Sequence, residues 1–319
     1  MKNRKLGGTA LEIKPLVFGG NVFGWTADGP TSFMLLDAFV AAGFNMIDTA
    51  DVYSIWGLGN KGGESETIFG KWLKRRGRRD DVIIATKVGW ELSQTQKGLS
   101  REYVLRQSEA SLRRLQTDYI DLYQSHIDDP NTPVEETLDA YATLIQQGKV
   151  RFIGASNFGA ARLKEAFELS NQKKYPRYMT LQPLYNLIER EHYETELEPL
   201  CRKEGLGVIT YFSLASGFLT GKYRSERDLE GRARANEVRK HITPRNLKIL
   251  QAVDQVAARV ELQQGQVALA WLLSRPSVTA PIVSATSMDQ LATVIAATQI
   301  KLDDEALTAL DQPTAECFA

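Results

Sequence analysis

The chain has 319 residues, 43% of them hydrophobic, enough to fill one large α/β barrel or two smaller domains. Its 39 basic and 39 acidic residues cancel, so no global field steers it onto nucleic acid or an anionic membrane. Two distant cysteines, Cys201 and Cys317, have no metal-ligand spacing, and the basic N-terminus has no apolar stretch behind it; both predict a reducing, cytoplasmic setting.

In chain order, residues 4–14 read as a small hairpin around Gly7-Gly8, placed to plug the bottom of a barrel. Short apolar runs follow at 16–18, 44–47, 82–85, 119–123, 150–154, 178–181, 208–210 and 279–283. They scarcely alternate, as expected of strands buried on both faces. The most apolar region, 34–47, is broken by Asp37, Gly43 and Asn45 and is too short to insert in a membrane. Helical patterns lie between the runs at about 31–42, 64–76, 100–115, 133–147, 159–170, 195–204, 245–274 and 287–297. Ser100 and Thr132-Pro133 mark two helix starts, and Gly148 and Gly205 mark two stops.

Eight strands alternating with helices predict an α/β fold, a (β/α)8 TIM barrel forming a single domain over residues 1–319. A doubly wound open sheet is the alternative, but Phe18-Gly19-Gly20-Asn21 is a poor dinucleotide fingerprint. Residues 217–244, charged and rich in Gly and Arg, form a long segment after the seventh strand and read as a lid.

A barrel carries its chemistry at the carboxyl ends of its strands. The second run ends in Asp48, with Tyr53 five residues on; the third ends in Lys87 and the fourth in His126. Closing the barrel brings these four within side-chain reach. The set suits carbonyl reduction. Hydride addition builds charge on oxygen, which needs a proton donor. Tyr53 would supply the proton, and a cationic Lys87 would draw its pKa down. Asp48 would hold the ammonium, and His126 would donate a hydrogen bond to the carbonyl. Singly, each has a plainer reading: Asp48 as a turn residue, Tyr53 as packing, Lys87 as a surface charge, His126 as a core group. Together on one rim they are hard to explain so. Asp121 reads as a structurally paired buried acid. Trp25, Trp56 and Trp90 follow the first three strands and either wall a pocket or cover loops. No metal site is indicated.

Asp48-Thr49-Ala50-Asp51-Val52-Tyr53 resembles the Asp-Thr-Ala-x-x-Tyr motif of aldo-keto reductases. Glu64-Ser65-Glu66, Thr86-Lys87-Val88, His126-Ile127-Asp128, the run from Gly148-Lys149-Val150-Arg151 to Ser156-Asn157-Phe158, and Gln182-Pro183-Leu184-Tyr185-Asn186 resemble the family's other signatures, in order. The branch it looks most like includes bacterial aldehyde and aryl-alcohol reductases and potassium-channel β subunits. The resemblance implies extended NADP(H) on the barrel. Ser156, Asn157 and Gln182 would hold the carboxamide and Tyr211 would stack on the nicotinamide. Leu214, Gly217 and Leu219 would cover the pyrophosphate, although Phe212-Ser213 replaces the family's usual Ser-Pro. At the adenosine end Thr286 stands where an Arg or Lys usually binds the 2′-phosphate, and Val294 replaces an Asn. Ser284, Thr286, Ser287, Lys222 or Arg224 would then bind phosphate, with Gln290 on the adenine, and NAD(H) stays open beside NADP(H).

The expected activity is reversible reduction of aldehydes or ketones, the partner being a small carbonyl or alcohol substrate; an oligomer is compatible with it. Two rivals are a cofactor-binding regulatory subunit of channel-β type and a Schiff-base aldolase using Lys87.

Overall fold

The computed structural model describes residues 2–315, so Cys317 lies outside the described residues. The chain opens with an antiparallel hairpin, β1 (Arg4–Lys5) and β2 (Glu12–Ile13). Eight parallel strands follow: β3 (Val17–Gly19), β4 (Met46–Asp48), β5 (Ile83–Val88), β6 (Ile120–Ser125), β7 (Val150–Ser156), β8 (Tyr178–Gln182), β9 (Gly207–Thr210) and β10 (Ala280–Val283). They close in chain order, β10 pairing back onto β3, which makes the expected (β/α)8 barrel. Every residue of β5 and β6 is buried, which is why these runs do not alternate in the sequence.

The hairpin closes the amino-terminal end of the barrel. Its Leu6, Leu11 and Ile13 pack with the inward residues Val17, Met46, Ile83, Leu122 and Ile209 in a core separate from the outer one. The fit is tight enough to exclude side chains at the contact. A Cβ on Gly7 would lie 2.4 Å from the Gly207 nitrogen, and Gly7 also has a φ of +57°.

The outer ring begins with α1 (Gly29–Ala41), α2 (Glu64–Arg76), α3 (Arg101–Leu115), α4 (Val134–Gln146) and α5 (Ala160–Lys173). In α3 the buried residues Tyr103, Val104, Gln107, Ser108, Ser111, Leu112 and Leu115 recur at three- and four-residue steps, the stripe a helix needs to cover a barrel. Ser100 caps it, accepting from the Tyr103 amide at 3.4 Å, as its sequence position suggests. Next come α6 (Glu198–Glu204), preceded by a wide π turn at Tyr193–Leu197, and the short α7 (Ala235–Arg239).

The helix expected over 245–274 is two helices, α8 (Pro244–Arg259) and α9 (Gln264–Ser274). Glu261 turns left-handed (φ +54°) after the first, and Gln263 and Gln266 cap the second reciprocally. The ring ends with α10 (Met288–Ala297) and α11 (Asp304–Ala315); the latter is absent from the sequence reading. The segment after β9 is less open than a loop, holding tight turns at Ala215–Thr220 and Glu226–Leu229 as well as α7. No described helix is long and apolar enough to cross a membrane.

Candidate active site

Strand register assembles the site. Asp48 ends β4 beside Ala85 of β5, and Lys87 of β5 lies opposite Gln124 of β6. Since inward positions recur every second residue, Asp48, Lys87 and Gln124 all enter the top of the barrel. Lys87 is fully buried and donates to three acceptors: Asp48 Oδ2 at 2.6 Å, the Thr49 carbonyl at 2.9 Å and Tyr53 Oη at 2.7 Å. Those are all the donors an ammonium has. The Tyr53 hydroxyl in turn reaches Asp48 Oδ2 at 3.4 Å, a long bond that holds its proton loosely. The other Asp48 oxygen accepts from Gln182 Nε2 at 2.9 Å and Gln124 Nε2 at 3.2 Å.

His126 follows β6, its ring centroid 5.8 Å from that of Tyr53. Its Nδ1 is buried without a partner. Burial, and secondarily the Lys87 charge, push it well below the ordinary imidazole value, so the ring is neutral and keeps one N–H to donate. Burial also pulls Lys87 down, opposed by Asp48. Tyr53 corrects the sequence expectation. Its pKa lies well above the phenol value rather than below it, because burial and the Asp48 charge both disfavour phenolate.

The tryptophans form a wall rather than separate loop covers. Trp90 packs on His126 at 5.1 Å, Trp56 on Tyr53 at 5.9 Å, and Trp25 on Trp56 at 5.8 Å. Trp56 and Trp90 keep more than two-fifths of their surface exposed.

The residues expected at a nicotinamide are brought together. Ser156 Oγ donates to the Gln182 carbonyl at 2.9 Å; Asn157 Nδ2 donates to the His126 carbonyl at 2.9 Å; Asn157 Oδ1 accepts from the Tyr211 hydroxyl at 2.7 Å. Asn157 has a φ of +54°, and burial raises Tyr211 to about 12. Leu214 and Gly217 lie in a stretch where Phe212, Ala215, Ser216 and Gly217 all have positive φ. Backbone of this kind turns amides toward one side and makes concavities for anions. Lys222 adds a cation there, its Nζ 3.7 Å from where a Gly217 Cβ would stand. Leu219 is fully buried and offers only its backbone.

The adenosine-end candidates are more occupied. Ser284 Oγ is shared between the Gly19 carbonyl at 2.8 Å and Asn21 Oδ1 at 2.5 Å. The Thr286 amide and hydroxyl both donate to Gln290 Oε1, at 2.9 and 3.1 Å, and Ser287 caps α10. Arg224 is paired with Asp254 at 2.7 and 2.8 Å in an exposed ion pair. Among the described residues no group of three or more His, Cys, Asp or Glu is arranged to hold a metal.

Three residues escaped the sequence reading. Gln124 could have been found from register, since it shares a face with Leu122 in β6. Asp51 is buried with both oxygens unpartnered, and burial beside Glu66 raises it well above the carboxylate range. Arg234 lies over the Trp25 ring at 5.6 Å, and nothing in the local sequence signals it. The motif's Ser65 is structural: it bonds Thr49 and the Gly20 carbonyl, both at 2.7 Å, and pins the loop that carries Tyr53. Glu66 likewise takes Thr86 at 2.5 Å and Arg114 at 2.7 Å.

The chain is similar to known proteins over nearly its whole length. The chain is 36% identical to an uncharacterized oxidoreductase, YrpG, of Bacillus subtilis (strain 168), over 98% of this chain and 95% of that protein. It is 36% identical to the aldo-keto reductase YhdN of the same organism, over 86% and 80%. It is also 34% identical to a probable voltage-gated potassium channel subunit beta of Oryza sativa subsp. japonica, over 91% and 89%. The sequence pattern of the Aldo/keto reductase family matches residues 15–314, and the chain belongs to that family of NAD(P)H-dependent oxidoreductases.

Proposed function

We propose that this protein reduces aldehydes or ketones to alcohols, reversibly, with Tyr53 as proton donor. The carrying observation is the contact of Tyr53 Oη with Lys87 Nζ at 2.7 Å, with Asp48 behind the ammonium at 2.6 Å. A bound NADPH or NADH supplies the hydride. A carbonyl oxygen arriving at Tyr53 offers its hydroxyl a better acceptor than the 3.4 Å bond to Asp48. As charge builds on that oxygen, the proton crosses to it and Lys87 steadies the phenolate left behind. The neutral His126 donates its N–H to the same oxygen, and the tryptophan wall excludes water. Ser156, Asn157 and Gln182 offer a carboxamide both donors and acceptors, and Tyr211 gives the ring a flat neighbour. Through Gln182, which also donates to Asp48, a bound carboxamide and the acid–base group share one residue.

Lys222 and the left-handed turns at 212–217 support phosphate binding at the dinucleotide's middle. NADP(H) is the proposed preference from the family; Thr286 lacks the charge that would reinforce it and leaves NAD(H) as the competitor. Tryptophan-fluorescence titration with both cofactors tests this, and NADPH should bind the tighter. Consumption of NADPH with 4-nitrobenzaldehyde tests the reaction, and absence of turnover at saturating cofactor would overturn it.

The likeness to a probable channel β subunit favours a second reading, a cofactor-binding regulatory subunit with little turnover. Tight NADPH binding without consumption would select it. The aldolase reading loses support. Lys87 is wholly buried and gives three bonds to three acceptors, leaving no lone pair to attack a carbonyl.

A further inference from the structure

The segment between β9 and α8 is rich in cations, and most of those near carboxylates are neutralised. Arg224 pairs with Asp254, Arg239 with Glu226 and Lys240 with Glu237. Arg227 and Arg232 lie exposed in water. Arg234 is different. It is partly buried at the start of α7, and among the described residues no carboxylate is recorded within ion-pair distance of it. It lies over the face of Trp25, 5.6 Å from the guanidinium carbon to the ring centroid, and its other charge neighbour is the phenol of Tyr223. Burial pushes it down from the ordinary arginine value. Removing a guanidinium from water without an anion is costly, and an indole face restores only part of what is lost.

The position gives that cation a use. Trp25 packs on Trp56 and Trp56 on Tyr53, so Arg234 sits at the far end of the aromatic wall from the reacting phenol. We infer that Arg234 recognises a carboxylate on the substrate, remote from the carbonyl, so that the preferred substrates are aldehydes or ketones bearing an acid group beyond an apolar spacer. A carboxylate matches one guanidinium in charge and can take two parallel N–H bonds from it. The spacer lies along Trp56 and Trp25. This inference rests on the reductase reading for the place of the carbonyl.

The test compares 4-carboxybenzaldehyde with 4-methylbenzaldehyde at saturating NADPH, in the wild type, Arg234→Met and Arg234→Lys. In the wild type kcat/KM should favour the acid. Arg234→Met should cost the acid about 10- to 100-fold, the loss expected for a charged hydrogen bond, and leave the neutral aldehyde nearly unchanged. Arg234→Lys should recover part of the loss. Equal losses on both aldehydes would overturn the inference. So would weaker NADPH binding by Arg234→Met in a fluorescence titration, which would assign the cation to the cofactor. Quenching of tryptophan fluorescence by 4-carboxybenzaldehyde separates this inference from the reductase reading. If the wild type binds the acid but turns over neither aldehyde, and Arg234→Met abolishes that binding, the carboxylate site stands and the reductase reading falls. Equal wild-type affinity for both aldehydes would overturn the carboxylate site whatever the turnover.

Discussion

Two buried carboxylates stand at opposite ends of the barrel, on strands separated by β5, and their surroundings differ in one respect. Asp121, near the start of β6, is saturated with fixed donors: Arg79 at 2.7 Å, Arg151 at 2.6 Å and the Ile84 amide at 2.9 Å. Asp48, at the end of β4, has one cation and two amides, and beside it a phenol with a loosely held proton. The lower acid can only hold strands together. The upper one holds a lysine that touches a movable proton. A buried ion pair alone says little about function; a transferable proton in contact with the pair marks chemistry.

Substitutions can break this contrast. Tyr53→Phe should cost the most, lowering carbonyl reduction by about 10²- to 10⁴-fold while leaving NADPH affinity nearly unchanged in fluorescence titration; a rate close to wild type would deny Tyr53 its role. Asp121→Ala should do the reverse. It should cost about 3 kcal/mol in denaturant unfolding, at the low end for a broken buried pair because Arg79 and Arg151 reach solvent, with kcat per folded molecule unchanged. A lost kcat would mean that the two ends of the barrel are coupled.

Gln124→Leu removes one of the two amides on Asp48 and should lower kcat about tenfold, with about 1 kcal/mol of stability. An unchanged kcat would show that this side of Asp48 is as inert as Asp121. The last test concerns pH. His126 is held below its unfolded value, so the unfolded chain takes up that proton first. Its contribution to stability is full above about pH 6.5 and declines as the pH falls below that. His126→Asn should flatten the slope of unfolding free energy between pH 6.5 and 5 by up to about 1.4 kcal/mol per pH unit. An unaltered slope would mean that the imidazole protonates freely in the folded protein.

The barrel was legible because its strands are buried on both faces and read as unbroken apolar runs, and Asp48, Lys87 and His126 because each closes such a run. Register then accounts for their meeting. Other features were not marked locally. The break between α8 and α9 depends on a left-handed glutamate, Glu261, a residue type that does not advertise that conformation. Among the described side chains of α11, Ala306 and Leu310 are the fully buried hydrophobics, too thin a stripe to stand out. The direction of the Tyr53 shift differs from expectation because the sequence shows a lysine nearby but neither the partial burial of the phenol nor the closeness of the Asp48 charge. Arg234 went unnoticed because a cation in a charged segment looks solvated until its neighbours are seen.

The hairpin at the foot of the barrel also sets a traffic rule. Leu6, Leu11 and Ile13 fill the lower lumen with hydrocarbon, so no file of water runs up through the barrel to Lys87. On the proposed reductase reading, protons, substrate and product would all share the upper doorway beneath the tryptophans. On the same reading, a ligand seated there bars solvent from the ammonium while it stays, and the site would exchange protons with bulk water between turnovers rather than during them.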